Sequence, residues 1–253
     1  MEITLTHGLL LVVTGFLAGI INTLAGGGSN LTLPALMVMG MPAEVANATN
    51  RVGVTVQSIT AMLGFHKHGK LDTDDKGPIL VPTILGGFIG AGLAAYAPST
   101  LIKPLLLGTM LLMALIILVR PAIIAPELGT PVNRVKDTPK SWFWLTLAGI
   151  YGGFVQAGVG FVLLAALAGS LRYDLVRANA FKVFCTLFFT LASLLIFIKE
   201  DLILWVPGLI LAAGTMVGAH LAVKLAIKVS PKVLKWFLFL MTLCGSVAAM
   251  LSD

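Results

Sequence analysis

Two clusters of glycine and polar residues interrupt a chain that is otherwise almost wholly apolar, and their chemistry is that of anion binding. The first lies between Gly15 and Arg51 and contains Asn22, Gly26-Gly27-Gly28, Ser29-Asn30 and Asn47-Ala48-Thr49-Asn50-Arg51. The second lies between Gly149 and Lys182 and contains Gln156, Gly158, Gly160, Asn179 and Lys182. A glycine break lets a ligand reach the backbone, and a helix starting after the break presents N–H groups and a positive dipole end. Amides and hydroxyls add neutral donors, while Arg51 and Lys182 add charge. The candidate substrate contacts are Asn22, Gly26, Gly27, Gly28, Ser29, Asn30, Asn47, Thr49, Asn50 and Arg51, with Gln156, Gly158, Gly160, Asn179 and Lys182 opposite. No catalytic residue, metal or cofactor is expected.

The elements holding these residues must be membrane helices. Of 253 residues, 58% are hydrophobic and 11% charged, against about 25% charged in soluble chains. A bilayer core roughly 30 Å thick needs about 20 apolar residues per crossing, and several such runs are present, so the chain reads as an all-α polytopic membrane protein. Its net charge of +6 is read as orienting the loops, not as binding nucleic acid. Cys185 and Cys244 both lie in apolar runs and read as packed thiols. Glu2 and the missing basic n-region argue against a cleaved signal peptide.

Breaks and hydropathy predict helices over 7–25, 31–39, 45–65, 78–97, 101–119, 142–156, 161–169, 176–198, 202–223 and 231–251. The arm after each glycine break is long enough for only about half a bilayer at roughly 1.5 Å per residue. Residues 7–39 and 142–169 therefore read as re-entrant hairpins, their tips covered by protein or water.

The chain divides into a first repeat (1–120), a polar linker (121–141) and a second repeat (142–253). Gly15 and Gly19 recur as Gly149 and Gly153, Gly26 and Gly28 as Gly158 and Gly160, and Ala46-Asn47-Ala48 as Ala178-Asn179-Ala180. Gly86 and Gly90 recur as Gly214 and Gly218. Gly19, Gly86, Gly90, Gly214 and Gly218 read as sites of close helix packing, within a monomer or between protomers of a homodimer. With three full spans per half, the second repeat is inverted relative to the first. A cytoplasmic linker then puts most lysines and arginines inside and only Lys103 and Lys199 outside, as the positive-inside rule prefers, with both termini outside. Inverted repeats with broken helices are a recurrent design of secondary transporters.

At about 100° per residue, Asn47, Asn50, Arg51, Thr55 and Ser58 share one helix face, as do Asn179, Lys182, Thr186, Thr190 and Ser193. A central Arg or Lys costs about 2.5–3.5 kcal/mol on insertion scales and usually faces a cavity, so the matching stripes read as one shared polar site. Glu44, beside the entrance of the third helix, is a candidate proton relay or gate partner for Arg51. His66-Lys67-His68, beside Asp72, Asp74 and Asp75, reads as a solvated loop, not a metal site. An anion channel would use the same residues as a carrier. An intramembrane serine protease built on Ser29 and His220 would need a hydroxyl–imidazole pair, and it leaves the duplication and the two cations unexplained.

The pattern of GxxxG, Asn22, AGGGS and Pro34, then Ala46-Asn47-Ala48-Thr49-Asn50, all duplicated across a basic linker, resembles the TauE/SafE sulfite exporter family, also called the toluene sulfonate uptake permease family. The resemblance covers nearly the whole chain. It implies a plasma-membrane carrier of small sulfur-containing or organic anions such as sulfite, sulfonates or sulfoacetate. The second half departs from the first at Phe181, where the first has Thr49, and in its Gly-Val-Gly tip.

Overall fold

The computed structural model describes residues 3–228 apart from 25, 72–73, 99, 103, 107, 110–125 and 127–129. The helix expected over 231–251 lies outside the described residues, as does most of that expected over 101–119. The described part of the latter, from 100 to 109, is helical.

The described residues are organised as helices α1 (Leu5–Leu24), α2 (Ser29–Val38), α3 (Ala43–Lys67), α4 (Lys76–Tyr96), α5 (Pro139–Phe154), α6 (Val159–Leu164, continued as a π turn Ala165–Ser170), α7 (Leu175–Lys199) and α8 (Trp205–Lys228). Local chemistry sets several of these ends. Pro42, extended at φ −54° and ψ 148°, precedes α3. Asp174 caps α7 by accepting from Val176 N at 3.1 Å and Arg177 N at 3.0 Å. α5 starts at Pro139, inside the stretch read as linker, because a proline in the first turn loses no helical hydrogen bond.

Four of the described helices are long and apolar enough to cross a membrane: α1, α4, α7 and α8. Their outward faces carry Leu9, Val13, Leu85, Ile89, Leu93, Leu195, Leu209 and Val217, all exposed, which suits lipid contact. α3 has 25 residues, about 37 Å of helix, but is too polar to match them. Its Asn47, Asn50, Arg51, Gln57 and Ser58 are all buried, so protein rather than lipid surrounds its polar stripe.

Each broken helix folds back on itself. Leu11 of α1 and Leu36 of α2 share one apolar cluster, while Leu145 and Ala148 of α5 share another with Val159, Leu163 and Leu167. The two sequence halves do not pack as separate bodies. α1 of the first half lies along α8 of the second, α5 of the second lies along α4 of the first, and α3 crosses α7 between them. Glycines make both seams close. A methyl on Gly15 would come 2.6 Å from the Leu211 carbonyl, and one on Gly214 would come 2.9 Å from Phe16 N. In the other seam, a methyl on Gly86 would come 2.7 Å from Ile150 N and one on Gly153 2.9 Å from Ala91 N. Small residues let membrane helices approach at backbone distance, and these glycine faces are used inside one protomer.

Candidate functional site

The two hairpin tips touch. The Gly160 N–H donates to the Gly26 carbonyl at 3.3 Å, and a Cβ on either glycine would strike the other's Cα. Gly26 (φ +98°) and Gly158 (φ +71°) turn the chain in the left-handed region, where a side chain is disfavoured. α2 begins directly after Gly28 and α6 directly after Gly158. Gly28 also seats the return arm, since a methyl there would come 2.7 Å from Asn22 Cβ. Gly27 faces the Phe161 ring, with its hypothetical Cβ 3.0 Å from Cε2.

A broken helix leaves its last carbonyls without intrahelical donors, and at the end of α5 all four have partners. Val155 N donates to Tyr151 O at 2.9 Å. Arg51 Nη1 donates to Gly152 O at 2.6 Å and Nη2 to Gly153 O at 2.8 Å, while Asn47 Nδ2 donates to Phe154 O at 2.8 Å. Arg51 Nη1 also donates to Gln156 Oε1, Nη2 lies 3.5 Å from Asn47 Oδ1, and the guanidinium sits 5.5 Å from the Phe197 ring centroid. The planar fork of arginine suits two adjacent carbonyls. Gln156 has φ 66°, unusual for a residue with a side chain, and the bond from Arg51 holds it there.

The opposite tip mirrors this with a different cation. Lys182 Nζ donates to Thr23 O, in the last turn of α1, at 2.9 Å and to Asn179 Oδ1 at 2.7 Å. Gly26 N donates to Ile21 O at 3.1 Å. Each half thus supplies a cation that caps the broken helix of the other half, at the end where the dipole is negative. Arg51 is 0% and Lys182 1% exposed, so both charges are held by protein rather than reaching outward to headgroups.

Other side chains fasten the first tip to α3. Asn50 accepts from Thr32 Oγ1 at 2.7 Å and donates to Ser29 Oγ at 3.1 Å. Asn22 Nδ2 donates to Gln57 Oε1 at 2.7 Å, and Gln57 Nε2 to Thr23 Oγ1 at 3.4 Å. Sequence reasoning passed over Gln57, although it lies seven residues after Asn50 and so on nearly the same helix face. It also passed over Thr23 and Thr32. Thr49 turns away from the tips, accepting from Leu204 N at 3.0 Å. Glu44 lies in the first turn of α3 and makes no ion pair with Arg51. Ser29 is bonded to Asn50, while His220 is on the exposed side of α8, so the hydroxyl–imidazole pair of a protease does not form. His68 Nδ1 lies 2.8 Å from Gly64 O at the end of α3.

Several buried polar atoms in the cluster have no hydrogen-bond partner among the described residues: Asn30 Oδ1, Arg51 Nε, Gln156 Nε2 and Asn179 Nδ2. On the polar stripes of α3 and α7, Ser58 Oγ and Thr190 Oγ1 also have none. All but Asn30 Oδ1 carry hydrogen. A buried group left so costs about 1–3 kcal/mol, so these atoms have capacity for a further polar contact.

Residues 11–249 match the family described as Sulfite exporter TauE/SafE. The chain is 30% identical over 219 residues to a "Probable membrane transporter protein" of Haemophilus influenzae, covering 85% of this chain and 84% of that one. It is 25% identical over 240 residues to "Probable membrane transporter protein ORF9" of Sinorhizobium sp, covering 94% and 90%. It is 26% identical over 228 residues to "Probable membrane transporter protein YfcA" of Escherichia coli, covering 89% and 83%. A match over nearly the whole chain, on an all-helical fold with membrane-length helices, makes this protein a membrane transporter that belongs to the sulfite exporter TauE/SafE family.

Proposed function

We propose that the protein is a secondary carrier of a small anion, a sulfur oxyanion or organosulfonate, bound where the two hairpin tips cross. One observation carries this reading: two fully buried cations and a set of buried N–H and O–H groups occupy the cluster in which the tips meet. Neither cation has a carboxylate partner among the described residues. A buried guanidinium without a carboxylate, a buried lysine and spare donors suit an oxyanion, which offers several acceptors and negative charge together. The anion accepts from Gln156 Nε2, Asn179 Nδ2 and the Lys182 ammonium. Asn22, Asn30, Asn47, Asn50, Ser29 and the tip glycines hold the walls. Arg51 acts mainly through its charge and through the tip it clamps.

The two halves work as inverted repeats in the plasma membrane, with the 121–141 linker in the cytoplasm and both ends outside. The exchanged packing of the halves and their reciprocal caps support this reading, as does the distribution of Lys and Arg. Rocking of one hairpin-bearing unit against the other exposes the crossed tips to each face in turn.

The test is uptake of labelled sulfite, a small sulfonate and a carboxylate into proteoliposomes. Saturable uptake of the sulfur anions that shows counterflow is the expected result. Unitary currents in planar bilayers would replace the carrier by a channel. Preference for the carboxylate would overturn the substrate class.

A further inference from the structure

The geometry points to Lys182 as the proton-binding site of the transport cycle, taking up one proton with each anion and releasing it when the anion leaves. This rests on the carrier reading above.

The argument starts from what surrounds the amine. Lys182 is buried about two turns into α7, and its two bonded oxygens, Thr23 O and Asn179 Oδ1, are both neutral. Among the described residues, the helices packed most closely against α7 are α1, α3, α4, α5 and α6 with its π turn. The titratable or charged residues they bring are His7 on α1, Glu44, Arg51, His66 and Lys67 on α3, Lys76 and Tyr96 on α4, and Lys140 and Tyr151 on α5. α6 brings none, and α7 itself adds Arg177, Cys185 and Lys199. All lie at helix ends except Arg51, Tyr151 and Cys185. Tyr151 donates to Ala157 O at 2.6 Å, and Cys185 is buried. No carboxylate is among the groups at mid-helix.

An anion beside the amine favours its ammonium form, and the ammonium in turn favours the anion. Anion and proton therefore bind cooperatively by linkage. The step is Lys–NH2 + H⁺ + A⁻ giving Lys–NH3⁺·A⁻, with the reverse on the other face. For a monovalent anion, the loaded and empty forms carry the same net charge. Arg51 cannot share this role, because its guanidinium stays protonated. The same atoms link proton binding to movement. The ammonium caps Thr23 O at the end of α1, and the neutral amine holds that carbonyl without the charge, so the first hairpin is held less firmly when empty.

The test uses methanesulfonate, which stays ionised throughout the working pH range, so that any proton taken up is bound by the protein. In proteoliposomes of the full chain, a pH gradient should drive electroneutral accumulation of about tenfold per pH unit for one proton per anion. Under the same gradient Lys182→Arg, a permanent cation, should lose that accumulation, and any residual movement should follow the membrane potential. Should Lys182→Arg fail to assemble, methanesulfonate added to unbuffered, detergent-solubilised wild-type protein gives a second readout with a pH dye. It should take up about one proton per bound anion. Accumulation by Lys182→Arg at the wild-type ratio overturns the proposal, as does anion binding without proton uptake. Wild-type counterflow indifferent to the pH gradient also overturns it while leaving the carrier reading intact. Absence of any sulfonate or sulfite movement overturns both.

Discussion

The two hairpin tips solve one physical problem with different cations. Both broken helices end inside the protein, and both end at a cation from the opposite half. At the α5 end, Arg51 meets two carbonyls, the Gln156 and Asn47 amide oxygens and the Phe197 ring. At the α1 end, Lys182 meets one carbonyl and one amide oxygen. The arginine end is a clamp with a permanent charge and most of its donors committed. The lysine end has fewer bonds, a donor to spare and a charge that can be given up. The two caps thus give the fold a fixed side and a responsive side.

Removing the clamp is the most damaging test of that contrast. Arg51→Ala should abolish transport and lower the thermal stability of purified protein by several kcal/mol, since about 1–3 kcal/mol is lost for each buried acceptor orphaned. Arg51→Lys should recover only part of this, because a point-like ammonium cannot fork across Gly152 and Gly153. Equal recovery by lysine would mean that the charge matters and the clamp does not.

The next test separates the tips. Gly26→Ala and Gly160→Ala should each stop transport, because the added methyl meets the other tip's backbone, with overpacking costs of about 1–3 kcal/mol. Gly27→Ala meets only the Phe161 ring and should retain transport at a reduced rate. If all three lose transport alike, with stability unchanged, the glycines serve ligand approach rather than contact between the tips.

A smaller effect is expected at the strained residue of the clamp. Gln156→Ala loses the acceptor for Arg51 and keeps a side chain at positive φ. Gln156→Gly loses the acceptor but relieves the backbone, so it should melt later than the alanine variant by about 1–2 kcal/mol. Identical melting would show that the backbone relaxes once Arg51 is released.

These tests also mark what the sequence could disclose. Gly26-Gly27-Gly28 and Gly158 announced helix breaks because few other residues tolerate left-handed backbone at depth. Matching stripes announced that Arg51 and Lys182 face inward. The repeated glycine spacings announced close helix packing, although not the two seams or that each joins one half to the other. What stayed hidden was where the cations bind. Half of their acceptors are main-chain oxygens of Gly152, Gly153 and Thr23, more than a hundred residues away, and a carbonyl has no residue-type signature. Gln57 could have been read from its helical spacing to Asn50.

Thr49 gives the mildest test, and it separates sequence adjacency from geometry. It stands between Ala48 and Asn50 in the densest polar motif of the chain, which is why it reads as a ligand contact. One residue along a helix is about 100° around it, and that rotation carries its hydroxyl away from the tips to Leu204 N, at the start of α8. Thr49→Val keeps the shape and removes the acceptor, leaving one N–H to find another partner. The expected cost is about 1 kcal/mol of stability, with a smaller change in the apparent affinity for anion than Asn50→Ala produces. The checks are thermal melts and concentration-dependent uptake on both variants. A Thr49→Val protein of native stability with weakened anion affinity would place the substrate on the α8 side of α3. The comparison between the two caps would then describe the scaffold rather than the site.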